Sequence, residues 1–121
     1  MKTFRDLLVW QEAYKLTLEI YGLTRRFPQT EMFALTNQIQ RAVVSITSNI
    51  AEGYGRSSIR EKDQFYAIAR GSLTEVENQI IIAKGLKYIS ESNYQKVMEQ
   101  IILTHKLLHG LQKANKERSE N

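Results

Sequence analysis

The chain has 121 residues, 42% hydrophobic and 25% charged, which is enough for one domain with a real core and too few for two. It contains no cysteine, so disulfides and thiolate chemistry are excluded. Its longest uncharged run, Ala42 to Ala51, is about half the ~20 residues a membrane span needs. The net charge of +4 is spread as +1 over residues 1–40, +2 over 41–70 and +1 over 71–121, a thin basic excess with no basic tail.

The opening MKTFRDLLVW carries Asp6 and Trp10 where a signal peptide wants apolar and small residues, so the expected compartment is the cytoplasm. Proline occurs once, at Pro28, and the glycines sit mostly at element ends, which favours long helices. The spacing predicts a first helix from about Thr3 to Arg26. Trp10, Ala13, Tyr14, Thr17, Ile20, Tyr21 and Thr24 form its buried face, and Leu8, Leu16 and Leu23 fall outside it. Pro28 follows as a stop.

A second helix is expected to begin near Thr30 or Glu31, with Thr30 as N-cap, and to end at Gly53 and Gly55. Its seam is Leu35, Ile39, Ala42, Val43, Ile46 and Ile50. Ser58-Ile59-Arg60-Glu61 reads as a capping box opening a third helix, with Phe65, Ala69, Ser72, Leu73, Val76, Ile80 and Ala83 on one side and an end near Gly85 to Tyr88. Ser92-Asn93-Tyr94-Gln95 offers another capping box. A fourth helix follows with Tyr94, Met98, Ile101, Ile102, His105, Leu108 and Leu111, before a polar tail, residues 116–121, that is expected to fray. Short connections make sequential helices antiparallel, so the expected fold is all-α, an up-down-up-down four-helix bundle filling residues 1–121.

Two sets of residues exceed what such a bundle needs. Leu103, Leu107, Gly110 and Ala114 form a second stripe on the fourth helix, which suggests subunit contacts through Leu103 and Leu107. Arg41, Ser45, Ser48, Asn49 and Glu52 form a polar stripe on the second helix, and Arg70, Gly71, Ser72, Glu75 and Asn78 answer it on the third. Gly71 in mid-helix suggests a close approach there. The stripe reads either as a binding site or as a hydrogen-bonded network of Arg41, Ser45, Asn49, Glu52, Ser72 and Glu75 that sets register. The network is favoured, because polar groups near a core must be paired in any case.

Catalytic and metal signals are weak. His105 and His109 are four apart, but the neighbouring glutamate of a zincin is missing, and no Glu-x-x-His pairs exist for a bundle di-metal site, so no metal or other cofactor is expected. Gly53-Tyr54-Gly55 lacks the lysine of a phosphate-binding loop. No enzyme is expected.

The runs Phe27-Pro28, Leu35 to Ile46 and Ser48-Asn49-Ile50-Ala51-Glu52-Gly53, with Ile68-Ala69-Arg70-Gly71-Ser72-Leu73-Thr74-Glu75 and the opening Leu8-Val9-Trp10-Gln11, resemble the four-helix-bundle family of 23S ribosomal-RNA intervening-sequence proteins. The resemblance spans nearly the whole chain in order. It implies an antiparallel bundle that assembles as a homopentamer, and a relation to the accessory variability determinant of diversity-generating retroelements, a basic pentamer that binds nucleic acid and a reverse transcriptase. The +4 charge is a modest version of that basic barrel.

The expected function is a non-enzymatic oligomeric scaffold that contacts RNA or DNA through phosphates, with Arg25, Arg26, Arg56, Arg60, Lys62 and Arg70 as candidate contacts. Arg56 and Arg60 lead, because the turn from Gly53 to Ser58 presents them at one end of the bundle. The alternative is a protein-interaction module whose basic residues are merely solvated. An enzyme using Asn49, Glu52, Arg70 and Glu75 ranks below both.

Overall fold

A computed structural model describes residues 2–120, and among them all regular structure is helical. The four α-helices are α1 (Leu8–Thr24), α2 (Leu35–Tyr54), α3 (Ile59–Gly85) and α4 (Glu91–Glu120). α1 packs on α2 and α4, and α3 packs on the same two, so α1 and α3 lie diagonally across an antiparallel bundle. No described helix is long and apolar enough to cross a membrane.

The first helix starts later than its periodicity predicts. Thr3 and Asp6 do form a reciprocal cap, but around a 3-10 turn, Phe4–Asp6. Leu7 then turns extended and sinks into the core, and α1 begins after it. Its buried stripe is Val9, Ala13, Leu16, Ile20 and Thr24, so Leu16, expected outside, is fully buried. The aromatic residues lie along the edge of that stripe instead. Trp10 stacks on Tyr14 at 5.4 Å between ring centroids, and Phe4 meets Trp10 edge-on at 5.2 Å. Small aliphatic side chains fill the bundle axis, and the large amphipathic rings cover its margin.

α2 also starts later than predicted. Residues Gln29–Glu31 make a 3-10 turn, so Thr30 is not an N-cap, and Glu31 Oε1 instead accepts from the Leu35 amide at 3.4 Å. The other oxygen, Oε2, accepts from the Tyr88 hydroxyl at 2.8 Å, which ties the loop after α1 to the loop after α3. The expected seam holds: Ile39, Ala42, Val43, Ile46 and Ile50 are buried, with Leu35 packed beside them. α2 ends at Tyr54 with Gly55 as its C-cap, as expected, and Gly53 is buried in its last turn against Tyr66 of α3.

Ser58 caps α3 through its Oγ, which accepts from Glu61 N at 3.0 Å. Tyr66, Ala69, Leu73, Val76, Ile80 and Ala83 face inward, while Phe65 and Ser72 lie at the margin. Lys87, at φ 66°, closes α3 with its amide on Lys84 O, and the Tyr88 amide reaches back to Ala83 O. α4 is capped by Ser90, whose Oγ accepts from Asn93 N at 3.1 Å, so the cap lies two residues before the predicted Ser92. Val97, Ile101 and Leu108 are its fully buried aliphatics, and Ile102, expected inside, is 49% exposed. Residues 116–120, expected to fray, continue α4, and Asn121 lies outside the described residues. Asn115 holds this end down: it is 3% exposed and its Nδ2 donates to Ile59 O at 3.0 Å.

Candidate nucleic-acid interface

The polar stripe between α2 and α3 separates into two parts. Ser72 Oγ donates to Ser45 Oγ at 2.9 Å, and Asn49 Nδ2 donates to Ser45 O at 2.8 Å and to Ser45 Oγ at 3.0 Å. These three side chains are half-buried and bridge the two helices. The other members make no hydrogen bond to this trio. Glu52 pairs with Arg56 at 3.2 Å, exposed Glu75 accepts from Gln79 at 3.4 Å, and Arg41 lies exposed in a shallow groove with Tyr21 and Val44. The expected six-membered network is therefore a trio. Gly71 has open space where a Cβ would be, so no close approach occurs there.

The six basic residues expected to touch phosphate divide between the ends of the bundle. Arg25 and Arg26 follow α1 at one end, about 30 Å from the other across the 20 residues of α2. Arg56 is at the far end, but it pairs with Glu52 and lies 4.6 Å from the centroid of the Phe65 ring. Lys62 caps α2, donating to Gly53 O at 3.3 Å and to Tyr54 O at 2.7 Å. Burial pushes its ammonium pKa below the usual lysine range, and Arg118 nearby adds to that shift. Lys62 is a structural cation.

Arg60 and Arg70 remain, and α4 brings them company. They lie with His109, Lys113 and Lys116 along a groove of about 740 Å³ between α3 and α4, with Ile59, Gln112 and Asn115 in its walls. Asp63 is the acid among these lining residues. Among the described residues, Arg60, Arg70 and Lys113 have no side-chain hydrogen bond or ion pair, so their charges are available to an anion. Arg70 thus belongs to the α4 side of α3, away from the Ser45–Ser72 stripe that its neighbours in sequence suggested.

Sequence reasoning missed His109, Lys113 and Lys116, although their four- and three-residue steps place them on one face of a helix. In the sequence His109 stands out only as a partner of His105. The structure sends His105 elsewhere, with Nε2 3.1 Å from Glu77 Oε1. No group of three or more His, Cys, Asp or Glu that could hold a metal occurs among the described residues.

The two leucines expected at a subunit contact also differ. Leu103 is 39% exposed, whereas Leu107 packs against the chain's own core. Larger apolar exposure lies on other faces. Tyr14, Leu18, Tyr21 and Val44 line the outside of α1 and α2, Ile68 and Ile82 lie along α3 with Leu86 at its C-cap, and Phe33 before α2 is 90% exposed.

None of the curated proteins matches the chain. Its fold is similar to the crystal structure of a protein of unknown function from the S23 ribosomal protein family of Bacteroides thetaiotaomicron, with a TM-score of 0.81 at 22% identity. That similarity covers 88% of this chain and 99% of the other. Residues 5–110 match the family described as 23S rRNA-intervening sequence protein. With nearly the whole helical core inside that match, the chain belongs to the 23S rRNA-intervening sequence protein family.

Proposed function

We propose that this protein is a non-enzymatic helical scaffold that binds RNA or DNA through phosphates, without reading sequence, and that it works as a homo-oligomer. The observation that carries the reading is the α3/α4 groove, where Arg60, Arg70 and Lys113 converge with no internal partner for their charges. Unpaired cations lining one valley make a phosphate site, and the chain carries no recognition-helix motif to add base specificity. Assembly multiplies the charge: five copies at +4 amount to roughly +20 on one particle. A ring of this kind is what likeness to the accessory variability determinant implies, and the exposed apolar faces of α1, α2 and α3 supply surface for it.

Fluorescence anisotropy with labelled RNA and DNA tests the reading. Binding is expected at low salt, falling by about 0.7–0.9 in log K per log salt for each phosphate neutralised. Arg60→Ala with Lys113→Ala should flatten that slope by about one to two units. Absence of binding to any nucleic acid at low salt would falsify it. The second reading, a protein-interaction module, then stands on Phe33, whose ring is 90% exposed beside Met32 at 47%.

A further inference from the structure

The shape of the α3/α4 groove says more about its ligand than its charge does. Neighbouring packed helices have axes about 8–10 Å apart, so the valley between them is narrow. A nucleic-acid duplex is wider than that, with a major groove alone of about 12 Å in DNA, and its bases are hidden by pairing. A duplex would lie across the rim and touch only the charged tips. An unpaired strand can lower a base between the helices.

The interior of the groove suits a base better than a bare phosphate. Ile59 and the hydrocarbon stems of Arg60, Arg70 and Lys113 give it apolar walls, and the His109 imidazole offers an aromatic face. Gln112 supplies the polar feature. Its Oε1 is closed off from solvent and has no hydrogen-bond partner among the described residues, so turning the terminal amide into the groove breaks no hydrogen bond. A buried acceptor without a donor is costly unless something brings an N–H to it. Every unpaired base offers such donors, through the exocyclic amines of adenine, cytosine and guanine and the N3–H of uracil or thymine.

We propose that this groove takes a short segment of single-stranded nucleic acid, with phosphates on Arg60, Arg70 and Lys113 and one base inside against Ile59 and the Gln112 amide. The proposal rests on the phosphate-binding reading above and adds strand state and base contact to it. Asp63 lies between Arg60 and Arg70 on the same face of α3, so it offsets part of their charge toward phosphate.

The test is anisotropy on the full chain with labelled oligo(A), oligo(C) and oligo(U) of about ten nucleotides, their DNA counterparts, and a hairpin duplex of similar length. Single strands are expected to bind about tenfold or more tighter than the duplex, the order that one stacked base supplies. Arg60→Ala, Arg70→Ala and Lys113→Ala should each lower the single-strand salt slope by about 0.7. Gln112→Met should weaken the binding of all three single strands while leaving duplex binding unchanged. Lys15→Ala, on the diagonal helix α1, is the equal-charge control and should be silent. Equal affinity for duplex and single strand, or an unchanged single-strand affinity in a folded Gln112→Met variant, overturns the proposal and leaves the phosphate-binding reading standing. Loss of all binding at low salt removes both. If Gln112→Met loses its helical circular dichroism, the strand preference and the three cation variants decide.

Discussion

A methyl group added to Gly53 would lie 2.6 Å from Tyr66 Cε1 and 2.8 Å from its Cδ1, with Phe65 Cβ at 3.1 Å. Tyr66 is 2% exposed and wedged between helices, so the ring cannot swing clear. The same methyl on Gly71 meets nothing within 4 Å. One substitution should therefore act with opposite sign at two helical glycines. Gly53→Ala is expected to cost about 1–3 kcal/mol by overpacking. Gly71→Ala is expected to gain roughly 0.5–1 kcal/mol by restricting the unfolded chain and favouring helix. Urea unfolding of both variants measures this, and a stabilised Gly53→Ala would refute the close approach of α2 and α3. The sequence marks both glycines as helical or nearly so. Which of them meets a neighbour depends on where another helix places a tyrosine, and periodicity within one helix carries no such information. This is why the close approach was expected at Gly71 and occurs at Gly53.

The helix seams differ in how plainly their residues announce them. α2 buries a row of Ile, Val and Ala at three- and four-residue steps that locates its core face, whereas in α3 the row from Ala69 to Ala83 is legible but Tyr66 goes in where Phe65 was expected, and Gln79 is buried as well. α1 carries two plausible rows, one aromatic and one aliphatic, and only packing decides that Leu16 goes in while Tyr14 stays 47% exposed. In the groove, Arg60 and Arg70 are legible as cations of α3, but their convergence with Lys113 requires knowing that the end of α4 returns beside the start of α3. The α1–α4 seam carries polar contacts as well. Gln100 Nε2 donates to Glu12 O at 2.9 Å and to Glu12 Oε2 at 3.1 Å, and this bond holds the Glu12 carboxyl below the usual range. Glu19, two turns along, goes the other way. Its partial burial raises the carboxyl pKa, Lys96 only partly opposes this, and Oε1 is buried without a hydrogen-bond partner among the described residues. The folded state thus holds the Glu19 proton more tightly than the unfolded state does, so its contribution to stability is lost as pH rises through the carboxylate range. Glu19→Gln removes that loss. The variant should be more stable than the parent at neutral pH by a few tenths of a kcal/mol after solvent screening, and the gap should close near pH 4. Melting curves at both pH values decide it, and a variant less stable than the parent at neutral pH would contradict the buried-charge cost.

At the scale of the whole molecule, the exposed apolar surface bears on how the proposed assembly is built. Tyr14, Leu18, Tyr21 and Val44 lie on the outside of α1 and α2, and Ile68 and Ile82 lie on α3 with Leu86 just past its end. Two unlike faces on one chain can cover each other only head to tail, and head-to-tail contacts close into rings when the rotation permits. A symmetric dimer would use one face twice and leave the other wet. The α3/α4 groove, with its unpaired cations, lies apart from the α1/α2 face, so a ring closed through that face leaves the groove's Lys113 side open to phosphate. Light scattering at micromolar concentration is expected to give about five times the 14.1 kDa chain mass. Leu107→Glu is a poor probe, because Leu107 packs on the chain's own core and a charge there would unfold the bundle. Leu18→Glu and Ile68→Glu alter side chains that are 56% and 52% exposed, so each should leave the helical circular dichroism intact while lowering the assembled mass. Salt dependence then links the two levels. A variant broken to monomers keeps its groove but loses the summed field of the ring. It should bind nucleic acid more weakly at low salt while each remaining groove keeps its own slope. A monomer mass for the unmodified protein, or a Leu18→Glu variant that stays fully assembled, would exclude the α1/α2 face as a subunit contact.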